Sequence, residues 1–372
     1  METNDVLESA EHRELRRSLR RLVDGQATPT VRLANGSAAQ TDPNLWRRLA
    51  NELGVTGLAV PAEFDGAGAG IRELAITAEE LGRGLLPSPF LTSVAMGIQL
   101  LLEAGDPATI DAYLPGLLDG STRATVLLPQ HGAGWNIETT PVAAVPSSEG
   151  THRLRGTVGQ VLDGCVANLL IVPARNGAQV GLYLVSELDG VLRKSQAALD
   201  HTRTFAEVTL DNCTAVLLPT DDAVAVADRA MTVASACLAA EQLGVAQHML
   251  ETAVTYARDR HQFGRAIGSF QAVKHTLADS MLTLELARAS VDDALTQLDA
   301  GTPTARQAVS IAQVVSSEAG FEVCASAMQV LGGIGVTWEH EAHLYFKRAS
   351  GNRVLLGRPS LHREHIAASL SL

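Results

Sequence analysis

Arg260, Gln262, Phe263 and Gln271 fall within one stretch, YARDRHQFGRAIGSFQ (256–271), that combines charge, amide side chains and a break in helical periodicity. Ala239, Leu243, Ala246, Leu250 and Val254 recur at steps of three and four, predicting a long helix that ends near Arg260. Gly264 and Gly268 interrupt it, and Phe270, Val273, Leu277 and Met281 begin the apolar stripe of a second helix. A guanidinium is a planar fork of donors and glycine lets backbone approach a ligand, so this turn suits a phosphate-bearing molecule. A second candidate is Gln329 followed by Gly332, Gly333 and Gly335, which by itself reads as the glycine cap of a helix. The third is Glu241, an acid in the apolar run from Leu238 to Gly244. A buried carboxylate is costly unless paired, so Glu241 is either a general base or one half of a salt bridge to an arginine of another helix.

Composition bounds what these residues can serve. With 46% apolar and 19% charged residues over 372 positions, the chain is globular and long enough for two or three domains. A formal net charge of −12 argues against nucleic acid as the main partner. Cys165, Cys213, Cys237 and Cys324 stand far apart with no C-x-x-C pair, which favours a reducing, cytoplasmic setting and gives no metal site. No run approaches the ~18 apolar residues of a membrane span, and Arg13, Arg16, Arg17, Arg20 and Arg21 read as one solvated helix face.

Three segments follow from the change of period. Residues 1–121 read as helices punctuated by glycine and proline, and 122–221 as short β-branched runs such as Leu169–Val172, Val180–Val185 and Phe205–Leu210. Long helical patterns fill 222–260, 269–299 and 304–331, and the last segment runs to residue 372. The expected fold is α+β but mostly α: an N-terminal helical domain, a middle β-barrel-like domain and a C-terminal four-helix bundle.

The pattern Tyr-x-x-x-Arg-x-Gln-Phe-Gly-x-x-Ile-x-x-Phe-Gln resembles the flavin-binding motif of the acyl-CoA dehydrogenase family, and Gln329-Val-Leu-Gly-Gly-Ile-Gly resembles its second. Leu58-Ala-Val-Pro-Ala-Glu-Phe-Asp-Gly-Ala-Gly, with Glu79-Glu80-Leu81-Gly82, resembles the family's N-terminal helical domain. The resemblance implies FAD as cofactor, an acyl-CoA substrate, and an electron-transfer flavoprotein as acceptor. It also implies that Arg260, Gln262, Phe263, Gln271, Gln329, Gly332 and Gly333 reach the dinucleotide of a neighbouring subunit, within a tetramer.

The chain departs from the family where the flavin ring is held. A Trp-Ile-Thr-Asn run is replaced within Gly156–Gly164, and the Ala-Gly-Ser-Asp region reads Leu128 to Trp135 through Gly132 and Ala133. Leu356 stands where many relatives carry the catalytic glutamate, and Ala234 where isovaleryl-type members carry it. Glu241 lies on the same helix, seven residues after Ala234. Three readings stay open: a subunit of a heteromeric dehydrogenase, like those used on steroid-derived thioesters, that lends its dinucleotide half-site to a homologous chain; a homomeric dehydrogenase with Glu241 as base; and a structural subunit without flavin.

Overall fold

The computed structural model describes residues 9–36, 41–131, 134–147 and 150–371. The first eight residues, and Gly132 and Ala133 of the glycine-rich turn, lie outside them. Helices α1 (Ala10–Asp24), α2 (Pro29–Ala34), α3 (Pro43–Asn51) and α4 (Ile71–Arg83) come first. A π-helical stretch (Phe90–Ile98) then runs into α5 (Gln99–Ala104), and α6 (Pro107–Leu118) follows. Local chemistry sets several starts: Asp42 and Asp106 cap α3 and α6 with their carboxylates, and each of those helices opens with proline.

The middle region holds β1 (Ala124–Val126), β2 (Gln130–His131), β3 (Gly134–Trp135), β4 (Ala143–Pro146), β5 (Thr151–Leu162), β6 (Leu169–Asn176), β7 (Gln179–Val185), β8 (Val191–Gln196) and β9 (Phe205–Leu218). Pairing runs β6–β4–β5–β9–β7 and returns from β7 to β6, so the strands close on themselves, as expected of a barrel. β1 adds in parallel to β6, and β8 adds antiparallel to β9. Leu154, Val158, Val172, Tyr183, Val208 and Leu210 fill the interior. The long strand β5 is not legible as a strand, because register shifts after Leu154 and Val158 break its alternation and Gln160 adopts φ 57°.

From Ala223 the chain is helical again: α7 (Ala223–Asp259), the hairpin β10 (His261–Gln262) and β11 (Arg265–Ala266), α8 (Gln271–Asp299), α9 (Ala305–Leu331), α10 (Ala342–Asn352) and α11 (Pro359–Ser369). The fold class is the expected mostly helical α+β arrangement. α7 is apolar enough to cross a bilayer by composition, yet 72% of its most apolar stretch is buried, because it is the axis on which the other layers pack. It joins the N-terminal helices and barrel through Met231, Ala234 and Leu238, and α8 and α9 through Ala239, Leu243 and Leu250.

α4 crosses α7 with backbone close against backbone at two glycines. A Cβ at Gly244 would stand 1.9 Å from the Glu79 carbonyl oxygen, and one at Gly82 would stand 2.5 Å from the Glu241 carbonyl oxygen. Both obstacles are backbone and cannot turn aside. Gly244→Ala is therefore expected to destabilise the protein by at least about 1–3 kcal/mol, the usual cost of overpacking. Chemical denaturation checks this: a variant as stable as the parent would show that the two helices are free to separate.

Candidate functional site

The first group of candidate residues gathers at one end of the bundle. Arg260 ends α7 with its N–H donating to the Tyr256 carbonyl at 2.9 Å, and its own carbonyl accepts from Ile267 N–H at 2.8 Å. Between them Phe263 and Gly264, with φ 52° and 76°, make the two-residue turn of a β-hairpin. Phe263 is 92% exposed and meets Phe270 edge-on at 6.1 Å, while the Arg265 guanidinium lies 4.1 Å above the Phe270 ring. α8 starts at Gln271 with no side-chain cap on its first amides. At the far end of α9, Gly332 takes φ 65°, and a Cβ there or at Gly333 would meet nothing within 4 Å.

Because α7, α8 and α9 alternate in direction, the end of the first, the start of the second and the end of the third coincide. Tyr256, Leu277 and Leu331 accordingly share one apolar cluster. Arg260, Gln262, Phe263, Gln271, Gln329, Gly332 and Gly333 are all exposed at this end. Guanidinium, three amide side chains, an uncapped helix N-terminus and open glycine backbone form a donor set that fits a pyrophosphate.

Glu241 stands elsewhere, in a buried network. Its carboxylate accepts from Arg203 Nη2 at 2.7 Å on both oxygens, and from Arg348 Nη1 and Asn352 Nδ2 at 2.9 Å each. Arg348 continues to Asp200 at 2.6 Å through Nε, and to Thr202 through Nη2. Arg203 and Asp200 come from the β8–β9 connection, Arg348 and Asn352 from α10. Burial raises the Glu241 pKa, but Arg203 and Arg348 outweigh it and hold the group at about 2. Such a carboxylate is ionised but weakly basic. Its surroundings form a small cavity of about 30 Å³ with Phe90, Leu91 and Asp163, the last raised by burial despite hydrogen bonds from Thr92 and Thr204 at 2.9 Å.

Leu356 lines a different cleft, of about 320 Å³, between the loop after β3 and helices α7 and α9. Trp135, Ile137, Met231 and Leu361 supply its apolar wall, and Ser235, Ser310 and His362 its polar floor. Arg306 and Asp228 pair at 2.6 Å at its side. Leu162, Ala234 and Leu356 all belong to the same buried apolar core. Gln160 is exposed, and its N–H donates to the Gln196 side chain at 2.8 Å. No acid stands at Leu356 or Ala234, and Gln160 and Leu162 offer neither an indole nor a hydroxyl.

The family models for the acyl-CoA dehydrogenase N-terminal and C-terminal domains match residues 9–121 and 223–371. The chain belongs to the acyl-CoA dehydrogenase family. It is therefore related to oxidoreductases that act on CoA thioesters. It is 35% identical to acyl-CoA dehydrogenase IpdE2 of Mycolicibacterium smegmatis, over 94% of this chain and 96% of that one. Among solved structures it resembles a variant of the Tcur3481–Tcur3483 steroid ACAD, at TM-score 0.85 and 31% identity over 97% of this chain and 98% of the other. It also resembles the ChsE4–ChsE5 complex of Mycobacterium tuberculosis, at TM-score 0.86 and 28% identity, covering 98% of each.

The partners of Glu241 escape a reading of the sequence, since residues 200–203, 241 and 348–352 share no spacing. The one available signal is the acid itself, which in so apolar a run demands a cation. Removing the charge leaves two buried guanidinium groups short of an anion, so Glu241→Gln is expected to cost about 3–5 kcal/mol of folding stability. Glu241 and Glu79, the latter also held at about 2, both lie below the ordinary value of 4.5. Their stabilisation is thus complete above pH ~4.5 and is lost as pH falls toward 2. Denaturation curves from pH 7 to 3 should show the parent losing stability faster than the glutamine variant; parallel curves would refute the pairing.

Proposed function

We propose that this chain is one subunit of a heteromeric, FAD-dependent acyl-CoA dehydrogenase that introduces an α,β double bond into a CoA thioester. It lends its dinucleotide-binding end to a flavin whose ring, with the catalytic base, sits on a homologous partner. The observation that carries this reading is the contrast between two regions of one chain. The exposed end at Arg260 keeps a complete donor set for pyrophosphate, whereas the cleft at Leu356 has a leucine in place of the base and no ring contacts at Gln160 and Leu162. The similarity to members of two named two-component assemblies supports it.

In this role Arg260 neutralises pyrophosphate charge, the first amides of α8 and the Gly332–Gly333 backbone add donors, and the amides of Gln271 and Gln329 complete the cradle. Phe263, which covers little of its own chain, packs against the neighbour. The bound flavin supplies the hydride acceptor, and the proton must leave to a base that this chain does not provide. An electron-transfer flavoprotein then accepts the electrons. All four cysteines are free, which suits a reducing cytoplasm.

A homomeric enzyme using Glu241 is less well supported, because its carboxylate would have to leave hydrogen bonds from Arg203, Arg348 and Asn352 to reach a substrate. A scaffold without flavin would leave the exposed donor set without a ligand.

The test is flavin absorbance and turnover for the chain purified alone and together with a homologous subunit encoded beside it. Expected are a colourless, inactive single chain and a tetrameric complex with one flavin for every two chains. In that complex Arg260→Ala should weaken flavin binding about tenfold to a hundredfold, the equivalent of a charge-assisted contact of roughly 1.5–3 kcal/mol. Gln271→Ala and Gln329→Ala should each cost less. Flavin on the isolated chain, bleached promptly by a CoA thioester, would overturn the assignment.

A further inference from the structure

The loop that carries Gly332 and Gly333 does little to hold itself. Gly332 takes φ 65°, and a Cβ on either glycine would meet nothing within 4 Å, so the chain on each side decides where their amides stand. Ile334, Val336 and Trp338 are exposed, and of residues 332–341 Gly335 alone is buried. The bonds inside the loop are short in range: the Thr337 N–H and hydroxyl both donate to the Ile334 carbonyl, at 3.1 and 2.8 Å.

Both ends are secured. Gly332 N–H donates to the Met328 carbonyl in the last turn of α9. At the other end Glu341 pairs with His248 Nε2 at 2.8 Å, and Ala342 and Leu344 of α10 are fully buried. Between those ends the anchor is the indole of Trp338. The ring of His201, from the β8–β9 connection, lies nearly parallel to it at 6.0 Å, and His343 of α10 meets it edge-on at 4.7 Å. The Lys347 ammonium, also from α10, stands 4.7 Å from its centre. Ring pairs and a cation over an indole face are each attractive. His343 is itself buried, so the grip has a fixed base.

We propose that Trp338 is a positioning residue: by pinning the middle of the loop it sets where the Gly332 and Gly333 amides stand when a dinucleotide binds. It acts through the loop, and a loop already ordered has less freedom to lose on binding. The role rests on the reading that those amides face a dinucleotide.

The flavin-containing assembly is the material, and the flavin dissociation constant is the readout. Trp338→Ala should weaken flavin binding about tenfold, the equivalent of about 1.4 kcal/mol. Assembly, the thermal midpoint of the flavin-free protein and turnover at saturating flavin should all stay parental. Trp338→Phe, which keeps a ring for His343 and Lys347, should restore most of the affinity. A His201→Ala, Lys347→Ala double variant keeps the indole but removes two of its holders, and should lose affinity as Trp338→Ala does.

Parental affinity in Trp338→Ala would overturn the proposal. So would parental affinity in the double variant, since the indole would then act by touching ligand or partner itself, and so would loss of assembly in Trp338→Ala. Arg260→Ala separates the two readings: if it weakens flavin binding while Trp338→Ala does not, only the pin fails, and if neither does, the dinucleotide reading fails with it.

Discussion

One buried interaction couples the barrel to the C-terminal helices: the carboxylate of Glu241 on α7 is held between Arg203 from the β8–β9 connection and Arg348 from α10. With Asp200 added, two acids face two guanidinium groups in a space that water scarcely enters. At low dielectric such charges are tolerable only as a complete set. Asp200 and Arg203 come from the barrel, Glu241 from α7 and Arg348 from α10, so the set closes only when barrel, axial helix and α10 dock in one relative position. Apolar packing brings those layers together with little directional preference, and the charges select the register. The tight α4–α7 crossing at Gly82 and Gly244 supports the same selection from the other side, since it fixes the height at which Glu241 enters the network.

Much of this was legible in the sequence, and what was not has physical reasons. Long helices announce themselves through sustained periodicity, so α7, α8 and α9 could be bounded closely. The turn at Phe263–Gly264 was marked by its residues. The strand β5 was hidden because its bulges break alternation at the very place where glycine, glutamine and aspartate suggest a loop. The location of the Arg260 group could be read because the hairpin is local in sequence. The Glu241 network could not, because Asp200, Arg203, Arg348 and Asn352 are brought to it by tertiary docking alone; the sequence left base and salt bridge as equal options.

On the proposed reading, the two faces of this chain have evolved under different constraints. The exposed end must present donors to a dinucleotide held elsewhere, and surface glycines and an uncapped helix are suited to that task because they leave backbone free. The cleft carries leucine where catalytic groups would stand, and Leu162 and Leu356 belong to the buried core. Substituting Leu356 and Leu162 where a base and a hydroxyl would stand adds apolar burial, roughly 1.5–3 kcal/mol for each fully buried side chain. Loss of chemistry and gain of stability thus point in the same direction in one half of the molecule.

The hairpin that carries Phe263 extends this division from chemistry to biogenesis. A nearly naked phenylalanine, with Val336 at 68% and Trp338 at 62% exposure on the loop that follows α9, makes an adhesive end on a newly made chain. Until a complementary surface covers it, that end is what chaperones and proteases recognise. On the proposed reading that surface belongs to the partner, and a chain made in excess of its partner would be removed rather than stored.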